Sequence, residues 1–210
     1  MTRALIVTIG GGRIAEGETL HIEQIALQWL DKRIPKVVLL PPYTPEQEQY
    51  GRKLEEYWTG LGAKVRLLML RDLADVDARV ADALHDADYV YFGGGSFAWY
   101  ANLLARSRVK PLLQKVLVMK RIVLSGISAG AFWFNPSSIS PHYGIGLLPE
   151  GIGVAVHAQN PGRIDQLGEW ASLSPTRVGY GICDKAAILF HSQSIWKQIG
   201  SIIKVKGDDA

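Results

Sequence analysis

Short apolar runs rich in β-branched residues alternate with stretches of helical periodicity through the first part of the chain. The strand-like runs are residues 4–9, 36–40, 63–70, 88–92 and 121–124. Helical spacing of apolar positions covers residues 19–32, 44–60, 72–85 and 100–120, the last with an interruption around Pro111. The second of these opens on Thr-Pro-Glu-Gln, which predicts a capped start with Gln47 as capping-box partner. This alternation predicts an α/β fold with a largely parallel sheet.

The pattern changes in the second part of the chain. Residues 135–153 are rich in Pro, Ser and Gly without a period, which predicts a surface loop or lid. Strands are expected at residues 154–157, 186–190 and 201–205, with an amphipathic turn or helix at 164–170 and a frayed tail from 207. There is no internal repeat, and 210 residues fit a single domain, residues 1–210.

Composition narrows the class of protein. With 48% hydrophobic and 20% charged residues, the chain is typical of a globular protein. The net charge is only +3 and the basic residues are scattered, which argues against a nucleic-acid or anionic-membrane partner. The single cysteine, Cys183, excludes an internal disulfide and a cysteine-based metal cluster. Neither a secretory leader nor a stretch of membrane-spanning length is recognisable, so we expect a soluble, cytoplasmic protein.

A candidate nucleophile follows the strand-like run that begins at residue 121. Residues 121–134 read RIVLSGISAGAFWF, in which Gly126 and Gly130 flank Ser128 at two residues on either side. A serine on a tight strand-to-helix turn needs such small neighbours, because larger side chains would collide with the strand or the helix. In that geometry the hydroxyl is exposed, and the N–H of Ala129 points to the place where an oxyanion would form.

Such a serine needs a base, and the usual base is a histidine held by a carboxylate. Of the five histidines, His21 and His85 lie in helical patterns, where a surface role is expected. His142 lies in the predicted lid. His191 ends a strand, and it would be the base in an α/β-hydrolase, with Asp165 or Asp184 as the acid. His157 ends the run at 154–156 before a turn, so it projects from a strand end.

Two further segments supply candidate partners. Asp184 follows a glycine-rich stretch and is the best-placed acid, although a turn aspartate capping its own loop has the same pattern. Residues 93–96 read Gly-Gly-Gly-Ser after a strand, and their N–H groups are suited to hold developing negative charge. The first glycine triplet, residues 10–12, lacks the third glycine of a dinucleotide fingerprint because Ala15 stands there.

Together these segments resemble the peptidase E and cyanophycinase family of serine peptidases, relatives of the class I glutamine amidotransferase fold. The residues that carry the resemblance are Phe92-Gly93-Gly94-Gly95, the elbow at 126–131, Gly144-Ile145-Gly146-Leu147-Leu148-Pro149 ahead of a histidine, and Gly181-Ile182-Cys183-Asp184. The resemblance implies a three-layer α/β fold with a mostly parallel sheet flanked by helices. It implies a triad of Ser128, His157 and Asp184, the last at a position where the family usually has Glu.

The resemblance also implies the remaining parts of the site. The oxyanion donors would be the N–H groups of Ala129 and Gly95, with Gly94 as the alternative to Gly95. Arg163 resembles a family arginine that meets a substrate carboxylate; the alternative is a surface salt bridge. Relatives commonly have Asn-Thr after the glycine triplet, where this chain has Ser96 and Phe97.

The resulting prediction is a serine exopeptidase or dipeptidase acting on short peptides, with an N-terminal aspartate as one candidate preference. It needs neither metal nor cofactor, and residues 132–143 would form a lid that restricts access. Two alternatives remain: an α/β-hydrolase-like esterase that uses His191, and an amidotransferase-fold binding protein without turnover. The oligomeric state is left open, a homodimer included.

Overall fold

Strands and helices alternate along the chain as the pattern predicts. The structure, a computed structural model, describes residues 3–42, 47–71, 73–104, 108–136, 139 and 144–206. The strands are β1 (Ala4–Ile9), β2 (Lys36–Leu40), β3 (Lys64–Leu67), β4 (Tyr89–Phe92), β5 (Ile122–Ile127), β6 (Ile152–Val156), β7 (Val178–Ile182), β8 (Ala187–His191), β9 (Ser194–Ile199) and β10 (Ile202–Lys206). The helices are α1 (Leu20–Leu30), α2 (Glu48–Gly60), α3 (Leu73–Asp86), α4 (Phe97–Trp99), α5 (Val109–Met119), α6 (Ala129–Phe132) and α7 (Asp165–Ser172).

The main sheet has seven strands in the order β3-β2-β4-β5-β1-β8-β9. The first five are parallel to one another, whereas β8 pairs antiparallel with β1 and β9 pairs antiparallel with β8. The carboxyl ends of β1, β4 and β5 therefore lie at one edge of the sheet, and β8 begins at that same edge. Ligand sites of open parallel sheets form at this edge.

Helices cover both faces of this sheet, so the predicted mostly parallel α/β architecture is confirmed. On one face, Leu5, Val7 and Val123 pack in a cluster with residues of α1 and α2. On the other face, Ile6 and Leu124 pack with residues of α3 and α5. Successive residues of each strand point to opposite faces of the sheet, and both faces are buried under helices. These strands therefore appear in the sequence as continuous apolar runs.

A second, smaller sheet has the order β10-β7-β6, with β6 and β7 parallel. Its strand β7 was not predicted, because residues 179–184 read as a glycine-rich approach to the next strand. β9 was likewise not expected. Helix α7 packs on this sheet through Leu167 and Trp170, in a third apolar cluster.

Two expectations about irregular segments need correction. The helix expected over residues 100–120 is divided into a π-helix at Tyr100–Leu104 and α5 from Val109, but Pro111 is not the point of division, because it lies in the first turn of α5, where N–H groups have no intrahelical acceptor. The described part of residues 135–153 is not a surface loop either. Asn135 is fully buried, and its side chain accepts from the N–H of Val154 at 2.7 Å and donates to the carbonyl of Val154 at 2.8 Å.

Two predictions extend beyond the part of the chain that the structure describes. The capped start expected at residues 44–46 lies outside the described residues; α2 begins at Glu48, and Gln47 makes no side-chain capping hydrogen bond. Of the lid expected at residues 132–143, residues 137, 138 and 140–143, with His142, also lie outside. Trp133 and Phe134 are fully buried, so that part of the segment is core. Within the described ranges, no helix is long and apolar enough to cross a membrane.

Candidate active site

Ser128 stands on a sharp turn between β5 and α6. Its backbone angles are φ 52° and ψ −116°, and its N–H donates to the carbonyl of Ile9 at 2.9 Å. A Cβ at Gly126 would overlap the backbone of Gly130, and one at Gly130 would overlap the carbonyl of Phe92. Both glycines are therefore required by close backbone approach, and the turn has the strained geometry of a nucleophile elbow.

His157 reaches this serine from the smaller sheet. It follows β6 directly, has a φ of 54°, and donates its backbone N–H to the carbonyl of Gly10 at 3.2 Å. Its Nε2 lies 2.8 Å from Ser128 Oγ. This is a normal hydrogen-bond distance between a hydroxyl and an imidazole nitrogen.

Asp184 lies on the other side of the imidazole. Its Oδ1 is 2.6 Å from His157 Nδ1, and its backbone N–H donates to Gln159 Oε1 at 3.0 Å. A carboxylate on Nδ1 keeps the proton on that nitrogen and leaves Nε2 free to accept from Ser128 Oγ. The His157 and Asp184 side chains retain exposed fractions of 27% and 39%, so the chain of hydrogen bonds opens to solvent at the acid.

The glycine turn after β1, residues 10–12, packs directly against His157 and Asp184, a role that was not predicted from the sequence. A Cβ at Gly11 would overlap both the Asp184 carboxylate and the His157 ring. The carbonyl of Gly11 accepts from the N–H of Lys185 at 2.9 Å, and the N–H of Gly10 donates to the carbonyl of Ala186 at 3.0 Å. The sequence does contain a signal for this role, since a glycine triplet with no assigned function directly follows a predicted strand.

Two backbone N–H groups beside Ser128 are free to stabilise an oxyanion. In the described structure neither Ala129 nor Gly95 has a hydrogen-bond acceptor for its N–H, and both residues line the cavity at Ser128. The N–H of Gly94 instead donates to the Tyr50 hydroxyl at 3.2 Å. Gly95 has a φ of 127°, a conformation that favours glycine.

A cavity of about 450 Å³ adjoins the serine on one side. One wall is aromatic, with the rings of Phe97 and Phe132 edge to face at 5.0 Å. Arg163 and Gln166 also line this cavity. Arg163 is exposed, and among the described residues no carboxylate pairs with its guanidinium. No group of three or more His, Cys, Asp or Glu side chains in the described ranges is arranged to hold a metal ion.

Comparison with known proteins decides the family. The sequence model of Peptidase family S51 matches residues 5–197. The chain belongs to peptidase family S51. It is therefore a serine peptidase, a hydrolase of peptide bonds, as predicted. No curated protein sequence matches the chain significantly.

Solved structures share the S51 fold of this chain. A crystal structure of a peptidase from an acI-B1 Actinobacterium superposes with a TM-score of 0.73 at 20% identity, over 98% of this chain and 92% of that one. A putative peptidase E protein from Listeria monocytogenes EGD-e gives a TM-score of 0.62 at 15% identity, over 97% and 98% of the two chains. At these identities the likeness establishes the shared fold.

The other candidate residues of this S51 peptidase lie away from Ser128. His191 pairs with Leu5 at the opposite end of the strands from Ser128, and its Nδ1 lies 3.0 Å from the carbonyl of Ala4. The esterase alternative, which requires His191 as the base for Ser128, therefore has no geometric support. His21 and His85 are exposed on helices, and Asp165 is the first residue of α7.

Proposed function

We propose that this S51 peptidase is an exopeptidase that hydrolyses short peptides with a triad of Ser128, His157 and Asp184. The observation that carries the proposal is the continuous chain of hydrogen bonds, 2.8 Å from Ser128 Oγ to His157 Nε2 and 2.6 Å from His157 Nδ1 to Asp184 Oδ1. Nucleophile, base and orienting acid come from the ends of three different strands. Their spacing is that of an assembled triad without further rearrangement.

The reaction follows from these positions. Ser128 Oγ forms a bond to the scissile carbonyl carbon while its proton passes to His157 Nε2, and Asp184 stabilises the resulting imidazolium. The C–N bond breaks as His157 gives that proton to the departing amine, which leaves an acyl ester on Ser128. Water then attacks the ester after giving a proton to His157 Nε2, and Ser128 regains that proton as the acid product leaves.

The oxyanion of the tetrahedral intermediate is assigned to the N–H groups of Ala129 and Gly95. Gly94, the alternative donor from the sequence, is less suited because its N–H already donates to Tyr50. Ala129 is the first residue of α6, so its N–H has no acceptor within the helix. Preorganised donors of this kind contribute roughly 10²- to 10³-fold each to the rate of acyl transfer.

Arg163 is proposed to bind a carboxylate of the substrate. Its exposed guanidinium lines the same cavity as Ser128, and it is unpaired among the described residues. Two carboxylates of a short peptide fit this role: the side chain of an N-terminal aspartate, and the C-terminal carboxylate of the leaving residue. Two modified dipeptides distinguish these sources: one with Asn in place of the N-terminal Asp, and one with an amidated C-terminus. Arg163→Gln should slow hydrolysis of any substrate that keeps the bound carboxylate. It should have no effect on the substrate from which that carboxylate has been removed.

The triad is tested by labelling with a fluorophosphonate and by dipeptide hydrolysis. Wild type should be labelled on Ser128 and should release amino acids from dipeptides, whereas Ser128→Ala should do neither. A Ser128→Ala variant that still cleaves dipeptides at the wild-type rate would refute the assignment. The restriction to short substrates is tested separately: hydrolysis of folded casein as fast as of a dipeptide would exclude it.

A further inference from the structure

Ser128 lies between two cavities rather than at the end of one. The second, of about 300 Å³, shares Gly95, Ser128 and His157 with the cavity that contains Arg163. It is also lined by Gln47, which immediately precedes α2, by Tyr50 in the first turn of α2, and by Gly12. A peptide that places its scissile carbonyl on Ser128 extends in two directions from that carbon. The second cavity is therefore available to the part of the substrate that does not face Arg163.

Gln47 lines this second cavity and carries a polar atom that no described residue uses. Its Oε1 is buried and has no hydrogen-bond partner among the described residues. Its carboxamide lies directly over Gly95, where a Cβ would collide with Gln47 Nε2. A buried acceptor without a partner is unfavourable and rare in folded proteins. A donor supplied by the substrate would remove this cost once the carboxamide turns its Oε1 toward the cavity.

The neighbouring turn of α2 fixes the position of Gln47. Tyr50, three residues later, accepts a hydrogen bond from the N–H of Gly94 at 3.2 Å. Burial raises the pKa of Tyr50 to about 12, so this hydroxyl stays neutral at physiological pH. The start of α2 is thus tied to the same glycine triplet that supplies the Gly95 N–H.

We infer that Gln47 is a specificity-determining residue whose Oε1 accepts a hydrogen bond from the free α-ammonium group of the N-terminal residue of the substrate. The inference rests on the proposed triad and oxyanion donors, and it assigns Arg163 to the C-terminal carboxylate of the leaving residue. The carbonyl oxygen lies against the Gly95 N–H, and the leaving nitrogen must stay within reach of His157 Nε2. The remaining substituent of the carbonyl carbon is the Cα that carries the α-amino group. The inference places this Cα in the cavity that Gln47 lines.

The test compares a free dipeptide with its N-acetylated form, in wild type, Gln47→Leu and Gln47→Glu. Loss of a hydrogen bond to a charged group should lower the ratio of kcat/KM for the free over the acetylated dipeptide by roughly 10- to 100-fold in Gln47→Leu. Gln47→Glu keeps an acceptor and adds a negative charge, so it should retain or increase the ratio. Gln198→Leu is the matched control, since Gln198 is exposed on β9 and its loss should not change the ratio.

The outcomes separate this inference from the proposed function. Labelling of Ser128 by a fluorophosphonate, which carries no amino group, reports whether the triad of each variant is assembled. A labelled Gln47→Leu whose ratio equals that of wild type would overturn the inference and leave the triad intact. If wild type hydrolyses neither dipeptide, the proposed function fails. Gln47 is then tested by binding alone: calorimetry measures the affinity of the free and the acetylated dipeptide for Ser128→Ala and for the Ser128→Ala, Gln47→Leu double variant. If the ratio of the two affinities is the same in both variants, the inference about Gln47 is overturned.

Discussion

Glu23 should make the stability of this peptidase fall as the pH rises through neutrality. Its side chain is fully buried between α1 and the main sheet, with Oε2 accepting from the Tyr57 hydroxyl at 3.3 Å. Its Oε1 has no partner among the described residues. Burial, which disfavours the charged form, raises the pKa of Glu23 from 4.5 to about 8.

The direction of this pH dependence is set by the number of protons that the folded and the unfolded chain bind. The folded chain keeps the Glu23 proton up to about pH 8, whereas the unfolded chain loses it near pH 4.5. Between these values the folded state binds one proton more, so the free energy of unfolding decreases with rising pH. The slope is about 1.4 kcal/mol per pH unit, and over the whole window this group costs about 5 kcal/mol. The stability that the folded chain gains from neutral Glu23 is complete below the unfolded pKa of 4.5 and is lost as the pH rises through the folded value of about 8.

The perturbation is Glu23→Gln, which keeps the shape and never ionises. Urea unfolding followed by tryptophan fluorescence should show a variant more stable than wild type, by a margin that grows by about 1.4 kcal/mol per pH unit from about pH 5 to pH 8. Glu18→Gln is the matched control. Hydrogen bonds from Arg13 lower the pKa of Glu18 to about 2, so its own window lies below this range.

A margin between Glu23→Gln and wild type that stays constant from about pH 5 to pH 8 would refute the reasoning. So would a margin of the same slope in Glu18→Gln, because the pH dependence would then come from charge removal in general. Subtracting wild type from each variant at the same pH cancels the contributions of all other titrating groups.

Three further predictions concern the triad. Asp184→Asn should lower kcat/KM on a dipeptide by roughly 10³- to 10⁴-fold through the wrong imidazole tautomer, and a loss below tenfold would exclude its orienting role. Gly11→Ala should lower kcat at least a hundredfold, because its Cβ displaces the imidazole and the carboxylate and about 1 Å of misplacement has that effect. Gly60→Ala, with open space around it, is its control in the same assays. His157→Ala should abolish dipeptide hydrolysis and His191→Ala should not; the reverse result would restore the esterase geometry.

The first part of the fold was predictable because its strands are apolar on both faces. β1, β2, β4 and β5 lie in a sheet covered by helices on each side, so all of their residues except Lys36 are buried and the runs stand out from the helical segments. β7 could not be found in this way, because it contains Gly179 and Gly181. A Cβ at Gly179 would collide with Leu167 of α7, and one at Gly181 with Ile164 and Ala158. The glycines that look like a loop are required by a helix packed closely on the strand.

The site was predictable only in part. The elbow around Ser128 is a local signal, since its glycines are required within five residues of chain. The base has no such local signal. Spacing alone left His142, His157 and His191 as candidates, and the family resemblance selected His157 among them. His191 ends a strand as His157 nearly does, but β8 runs antiparallel to β1, which carries His191 to the far end of the sheet. Strand direction is set by tertiary pairing and is not visible in the sequence.

The first glycine triplet shows how the two sheets share one site. Ser128 belongs to the main sheet, whereas His157 and Asp184 follow strands of the smaller sheet. The turn after β1 joins them: the Gly10 carbonyl accepts from the His157 N–H, and the Gly11 carbonyl accepts from the Lys185 N–H, next to the acid. Hydrogen bonds of 2.8 Å and 2.6 Å tolerate little displacement between the sheets. The turn at residues 10–12, which carries no reactive group, therefore holds Ser128 and His157 in register, and the geometry of the proposed triad depends on this turn as much as on the elbow.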